Sequence, residues 1–228
     1  MQDDSLIKLE KTKTELNLLL FNKLREENLS RIRTIHISSG ENFSSKLELN
    51  YIYFINKGYV LQFCVDPLGG EKALDIHGKN DILGIEIMYN NMTTFEQSLA
   101  LTKVELKQVP IKILKPYIYE FPFFIYNNLQ YSLFIKKMDL LGTLLPGDQR
   151  VLLTIIEILR YLGKKENDTL VIPIFITHKI IAMFSSVSRS YVSKIITKLI
   201  KKGDLSYHGR LIACNDLDKL IGLSLYFN

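Results

Sequence analysis

One stretch of this sequence carries most of its legible chemistry: THKIIAMFSSVSRSYVSKIITKLIKKGDLSYHG, from Thr177 to Gly209. Between Thr177 and Arg210 stand seven cations (Lys179, Arg189, Lys194, Lys198, Lys201, Lys202 and Arg210) and one anion, Asp204. At 100° per residue, Val192, Ile195, Ile196 and Leu199 fall within one arc of a helix. Arg189, Ser190, Ser193, Lys194, Thr197 and Lys201 occupy the opposite arc. Hydroxyls and cations in that arrangement suit recognition of a polyanion rather than bond breaking. The planar fork of Arg189 can take both acceptors of a guanine edge. Ser190, Ser193 and Lys194 can read adjacent edges.

The elements that must position these groups are readable too. Thr177 caps a helix over His178–Phe184, and Ser185-Ser186-Val187 is a turn. Ser188 caps a second helix that runs to about Lys202, and Gly203 ends it. Ala182 is small where the helices approach, and Ile181, Val187, Val192 and Ile195 are apolar where they pack. The pattern predicts a helix-turn-helix. A hairpin follows in LSYHGRLIAC, with its tight turn at His208-Gly209, so a wing is expected. The first two turns of the second helix are predicted to enter a major groove. Lys198, Lys201 and Lys202 lie farther along and should grip phosphate, as should Thr177, Lys179, Ser188, His208 and Arg210 around the helix ends and wing.

Upstream the texture differs. Leu6 to Leu29 reads as an amphipathic helix, with Leu6, Leu9, Leu16, Leu20 and Leu24 near one stripe. From Thr34 to Pro110 come short β-rich runs (TIHIS, YIYFIN, YVLQFCV, KALDIH, KVELKQV) separated by turn signals at Gly40, Gly58, Gly69-Gly70 and Gly78. Even spacing of short strands predicts a sandwich or barrel. A short helix is expected over Ile111–Tyr119. A long one is expected over Phe123–Leu145, with Pro122 at its start. That helix is apolar on several faces, including Phe124, Leu129, Leu133 and Leu140. A small β domain covers one side; the other predicts a seam with a second copy of the chain. Pro146-Gly147 breaks the chain, Asp148 is expected to cap a helix over Gln149–Leu162, and a strand is expected at Leu170–Ile174.

The whole excess of positive charge lies in the last third. Of 228 residues and a net charge of +5, residues 1–146 carry 17 Lys/Arg and 17 Asp/Glu; residues 147–228 carry 12 and 7. Two distant cysteines, Cys64 and Cys214, exclude a disulfide framework, a zinc knuckle and an iron–sulfur cluster. No apolar run is long enough for a membrane span, and the acidic start lacks a secretory signal, so a cytoplasmic setting is expected.

The chain resembles the Crp/Fnr family of transcription regulators over nearly its full length. YFINKGYV resembles the strand-Gly-strand signature of the family's roll at Gly58; NDILGIE resembles its Gly-Asp-Phe-Ile-Gly-Glu turn. The segment from Thr177 to Gly209 matches its helix-turn-helix and wing without gaps. The resemblance implies an α+β chain in three parts. These are an N-terminal jelly-roll-like β-roll sensor (1–122), a long dimerisation helix (123–146) and a C-terminal winged helix-turn-helix (147–228). It implies a homodimer bound to an inverted repeat of double-stranded DNA, with RNA polymerase as partner if the protein activates. Arg189 sits where the family's base-reading arginine sits, and Lys194 replaces its usual second arginine. Ser190 replaces a glutamate, as in the PrfA-like Firmicute branch. Ser186 replaces a turn glycine, at a cost of roughly 1 kcal/mol if its backbone is left-handed.

The sensor departs from the cyclic-nucleotide pattern. From Asn80 to Thr102 there is no Lys or Arg, and Glu96 and Gln97 stand near the place of the phosphate-binding arginine. A phosphate there meets no cation. Cyclic-nucleotide control is therefore not expected, and Glu86 is read as a structural carboxylate of the turn. His36 and His77 with Glu86 make no convincing metal set, and no nucleophilic triad or phosphate-cradling loop is visible. No cofactor and no catalysis are expected; the effector is not legible. The alternative is a ligand-responsive β-roll whose winged helix meets protein partners.

Overall fold

The structure is a computed structural model that describes residues 3–85, 96–120 and 122–224; within its helices, side chains at 3–10, 118–120, 122–124, 134, 135, 137–139 and 141 fall outside that description. The chain divides into two compact units, 1–135 and 136–228.

The first unit opens with α1 (Asp3–Asn28) and continues through β1 (Arg33–Ile37), β2 (Tyr51–Lys57), β3 (Val60–Val65), β4 (Glu71–His77), β5 (Ile82–Leu83), β6 (Glu96–Ala100) and β7 (Val104–Pro110). Then come α2 (Ile111–Glu120) and α3 (Pro122–Thr143), whose last turns belong to the second unit. The strands form two antiparallel sheets, ordered β1-β7-β2-β5 and β4-β3-β6. Tyr53, Ile55, Leu83 and Leu106 of the first sheet share a core with Val60 and Ala100 of the second, and Phe43 fills it from a loop.

β2 is apolar at four successive positions because both of its faces are covered. Tyr53 and Ile55 point to the core between the sheets. Ile52 and Phe54 point outward and pack under Leu20, Phe21 and Leu24 of α1 and Ile113, Leu114 and Tyr117 of α2. Gly58 has φ +95°, and a Cβ there would lie 2.3 Å from the Lys103 carbonyl oxygen, so β2 can turn into β3 only through glycine. β5 and β6 were absent from the sequence expectation. β5 has two residues, and the EQSLA of β6 lacks the β-branched and aromatic composition that marks strands.

The second unit contains α4 (Gly147–Leu162), β8 (Lys164–Glu166), β9 (Thr169–Val171), α5 (His178–Ser185), α6 (Arg189–Lys201), β10 (Ser206–His208), β11 (Leu211–Cys214) and α7 (Leu217–Gly222). Its small sheet has the order β10-β11-β9-β8. Two local expectations are corrected. α4 starts at Gly147 with Pro146 as its N-cap, so Asp148 lies inside the first turn and is not the cap. The proline ring sets the φ that begins the helix two residues earlier than the carboxylate suggests. The strand expected at Leu170–Ile174 is instead the hairpin β8–β9, ending at Val171; β8 is an exposed Lys-Lys-Glu with no apolar alternation to betray it.

Candidate nucleic-acid interface

The α5–α6 pair is built by two hydroxyl caps and one strained residue. Thr177 has extended backbone and accepts the Ile180 N–H at 3.2 Å, opening α5. Ser188 does the same for α6, accepting from Tyr191 N–H at 3.2 Å. Between them Ser186 is left-handed, φ 51° and ψ 48°, the geometry that glycine adopts most readily. Its carbonyl accepts from the Arg150 guanidinium at 3.3 Å, which holds the turn against α4. Ile180, Ile181, Ala182 and Met183 of α5 and Val192, Ile196 and Leu199 of α6 are buried, and Ile195 is half-buried.

That packing turns one face of α6 outward. Arg189, Ser190, Lys194, Thr197, Lys198, Lys201 and Lys202 are exposed. Lys179 is exposed beside the α5 N-terminus. The one anion of the segment, Asp204, is turned inward, 4% exposed, with Lys219 at 2.7 Å. That contact holds the Lys219 ammonium above its ordinary value. The outward surface is therefore cationic without a competing carboxylate on α6.

Among the base-reading candidates, Ser193 differs from the exposed Arg189, Ser190 and Lys194. It is half-buried, its hydroxyl donates to the Arg189 carbonyl at 3.0 Å, and it stands 2.8 Å from Nδ1 of His178. His178 Nε2 lies 3.1 Å from the hydroxyl of Tyr207 on β10. Burial first, and the Arg189 charge second, hold the His178 imidazolium below its ordinary value; burial raises Tyr207. The sequence named His178 only as the first residue of a helix and gave Tyr207 no role. No periodicity joins residues 29 positions apart, so only the fold could reveal this contact.

The wing is present as β10–β11, but His208 pairs with Leu211, so the tip is Gly209-Arg210 and not His208-Gly209. Gly209 takes φ +64°, and Arg210 sits in the turn itself, exposed. His208 is also exposed, with Nδ1 3.3 Å from the Glu166 carboxylate.

On α3, Leu129, Leu133 and Leu140 are 55%, 58% and 68% exposed, and Tyr126 is exposed with them. Spacings of seven from Tyr126 to Leu133 to Leu140 place them near one seam. The side chain of Phe124 lies outside the described residues.

In the first unit, the turn after β4 is filled from within. Lys13 of α1 is buried and pairs with Asp81 at 3.0 Å, while Asp81 also accepts the Gly78 N–H at 2.8 Å. The Lys13 ammonium lies 3.9 Å from the centre of the Tyr131 ring of α3, and the Tyr131 hydroxyl donates to Asp75 at 3.1 Å. Gln97 accepts from Asn42 at 3.0 Å. Burial first, then the charge of Glu96, push the Cys64 thiol up, away from thiolate reactivity. Glu86 lies outside the described residues. Among the described residues no helix is long and apolar enough to cross a membrane.

No protein-family model matches the chain, and no curated protein matches it in sequence. Solved structures do. A cyclic nucleotide-binding domain containing protein from Listeria monocytogenes matches over 88% of this chain and 98% of its own, at 16% identity and a TM-score of 0.70. The c-di-GMP responsive global regulator CLP from Xanthomonas campestris matches over 86% and 99%, at 14% identity and a TM-score of 0.70. A CRP/FNR-family transcriptional regulator from Thermus thermophilus matches over 84% and 98%, at 18% identity and a TM-score of 0.60. At such identities the shared property is the fold: antiparallel sheets in the N-terminal part and a helical C-terminal part, as in these regulators.

Proposed function

We propose that this chain is a homodimeric, sequence-specific DNA-binding transcription regulator of the Crp/Fnr type, closest to the PrfA-like branch, acting in the cytoplasm by binding and not by catalysis. The observation that carries the reading is the outward face of α6: exposed cations and hydroxyls, an apolar opposite face packed on α5, and the segment's one anion folded away. Residues 1–122 serve as sensor, 123–146 as dimer helix and 147–228 as DNA-binding domain. Arg189, Ser190, Ser193 and Lys194 face base edges. Thr177, Lys179, Ser188, Lys198, Lys201, Lys202, His208 and Arg210 face phosphates. Leu129, Leu133 and Leu140 form the seam that brings two recognition helices to half-sites about one helical turn apart.

Control by cyclic nucleotide is not part of this reading. The turn that precedes a phosphate site in such sensors is held by Lys13 and Asp81, and no cation lies between Asn80 and Thr102. Any contact with RNA polymerase follows from activation, which the operator's position decides. Selection of bound duplexes from a random pool by the full chain tests the proposal. An enriched inverted repeat is expected. Retention without sequence preference, or no retention at low salt, overturns it.

A further inference from the structure

The His178 contact has a direction that follows from donor counting. The Ser193 hydroxyl spends its one proton on the Arg189 carbonyl, at 3.0 Å. Toward His178 Nδ1, 2.8 Å away, it can then only accept, so Nδ1 carries the hydrogen. Burial and Arg189 keep the ring neutral, which leaves Nε2 as an acceptor. The Tyr207 hydroxyl, 3.1 Å from Nε2, donates to it. One chain of protons therefore runs from the wing, through the first helix, to the recognition helix: Tyr207 to His178 to Ser193 to the Arg189 carbonyl.

We infer that His178 is a positioning residue for DNA readout, fixing the Ser193 hydroxyl so that it meets the groove as an acceptor and tying the wing to the recognition helix. The inference rests on the DNA-binding reading and deepens it. A serine hydroxyl free to rotate reads a base edge as donor or acceptor alike. With its proton committed and one lone pair taken, the remaining lone pair favours an exocyclic amino group, adenine N6 or cytosine N4, over a carbonyl oxygen. His178 itself need touch no base. Its effect on selection passes through Ser193, and its effect on the wing passes through Tyr207.

The two ring nitrogens can be tested apart, because the asparagine amide reaches about as far as Nδ1 and the glutamine amide about as far as Nε2. Duplexes are selected from a random pool by the full chain and by His178→Asn, His178→Gln, Ser193→Ala and the His178→Gln/Ser193→Ala pair, with thermal unfolding of each. Wild type should show one base-pair column with an amino-bearing preference of about tenfold. Ser193→Ala and His178→Gln should flatten that column and leave those set by Arg189 intact. His178→Asn should retain it, and the pair should flatten it no further than either change alone. A column that survives His178→Gln, or is lost equally in His178→Asn and His178→Gln, overturns the inference and leaves the DNA-binding reading standing. Loss spread evenly over all columns together with a lowered melting temperature also overturns it, since that is the mark of a merely structural histidine. A wild-type chain that selects no sequence removes the DNA-binding reading, and this inference with it.

Discussion

Two residues of the α5–α6 turn and of α6 illustrate opposite uses of a single side chain. Ser186 carries the conformational cost of a left-handed backbone, φ 51° and ψ 48°. Ser186→Gly should stabilise the second unit by roughly 0.5–1 kcal/mol, the left-handed strain relieved less the extra freedom of an unfolded glycine. A rise of a few degrees in melting temperature with unchanged DNA affinity would show it; a fall would mean that the strain lies elsewhere. Arg189, at the first position of α6, exposes its side chain, while its carbonyl anchors Ser193. Arg189→Ala should keep the fold, cost about 1–3 kcal/mol in binding to the selected operator and relax preference at one base pair. Titration of matched and single-mismatch duplexes checks this, and an unchanged preference would remove Arg189 from base reading.

At the scale of elements, helices here are placed by what covers them and by what they leave bare. The C-terminal end of α6 leaves Lys198, Lys201 and its C-cap Lys202 bare. Lys201→Ala and Lys202→Ala should each lower the slope of log affinity against log salt by about one, equally for matched and unmatched duplexes. A slope that does not move would take them out of the phosphate contacts. α1 is placed differently. It reaches its sheet with an apolar stripe but also delivers Lys13 to Asp81 and to the face of Tyr131, joining α1, the turn after β4 and α3. Lys13→Met strands the Asp81 carboxylate in a buried site and should cost about 3–5 kcal/mol, whereas changing Asp81→Asn as well should recover part of the loss. Denaturant unfolding of the two variants against wild type measures the difference. Equal stability of single and double variants would mean that the buried pair is not a coupled one.

For the whole molecule, the proposed reading needs two copies of the exposed α6 face. Leu129, Leu133 and Leu140, each more than half exposed along α3, are apolar groups that a single copy of the chain leaves in water. A second copy packed on the same stripe, related by twofold symmetry, removes them from it. Leu129→Lys with Leu133→Lys should yield a folded monomer by analytical ultracentrifugation. Its affinity for a full inverted repeat should fall toward that for a half-site. A variant that remains dimeric would move the seam elsewhere. DNA binding, on this view, depends on the oligomer as much as on the chemistry of α6.

The sequence determined what is local. Hydroxyl caps at Thr177 and Ser188, the arc of Val192, Ile196 and Leu199 against Arg189 and Lys194, and the glycine at Gly58 were legible because each depends on neighbours within one or two turns of chain. The long apolar strands were legible for the same reason. β5 and β8 were not, because two or three residues carry no periodicity, and β6 was not, because EQSLA lacks the β-branched and aromatic residues that mark strands. Asp148 misled because a carboxylate before an apolar run signals a cap, while the proline two residues earlier had already set the helix start. What only the tertiary structure decided are the contacts between distant segments: Lys13 with Asp81 and Tyr131, and His178 between Ser193 and Tyr207. A buried charge or a shared proton needs a partner at hydrogen-bond range, and chain spacing cannot specify which of many distant groups the packing will bring there.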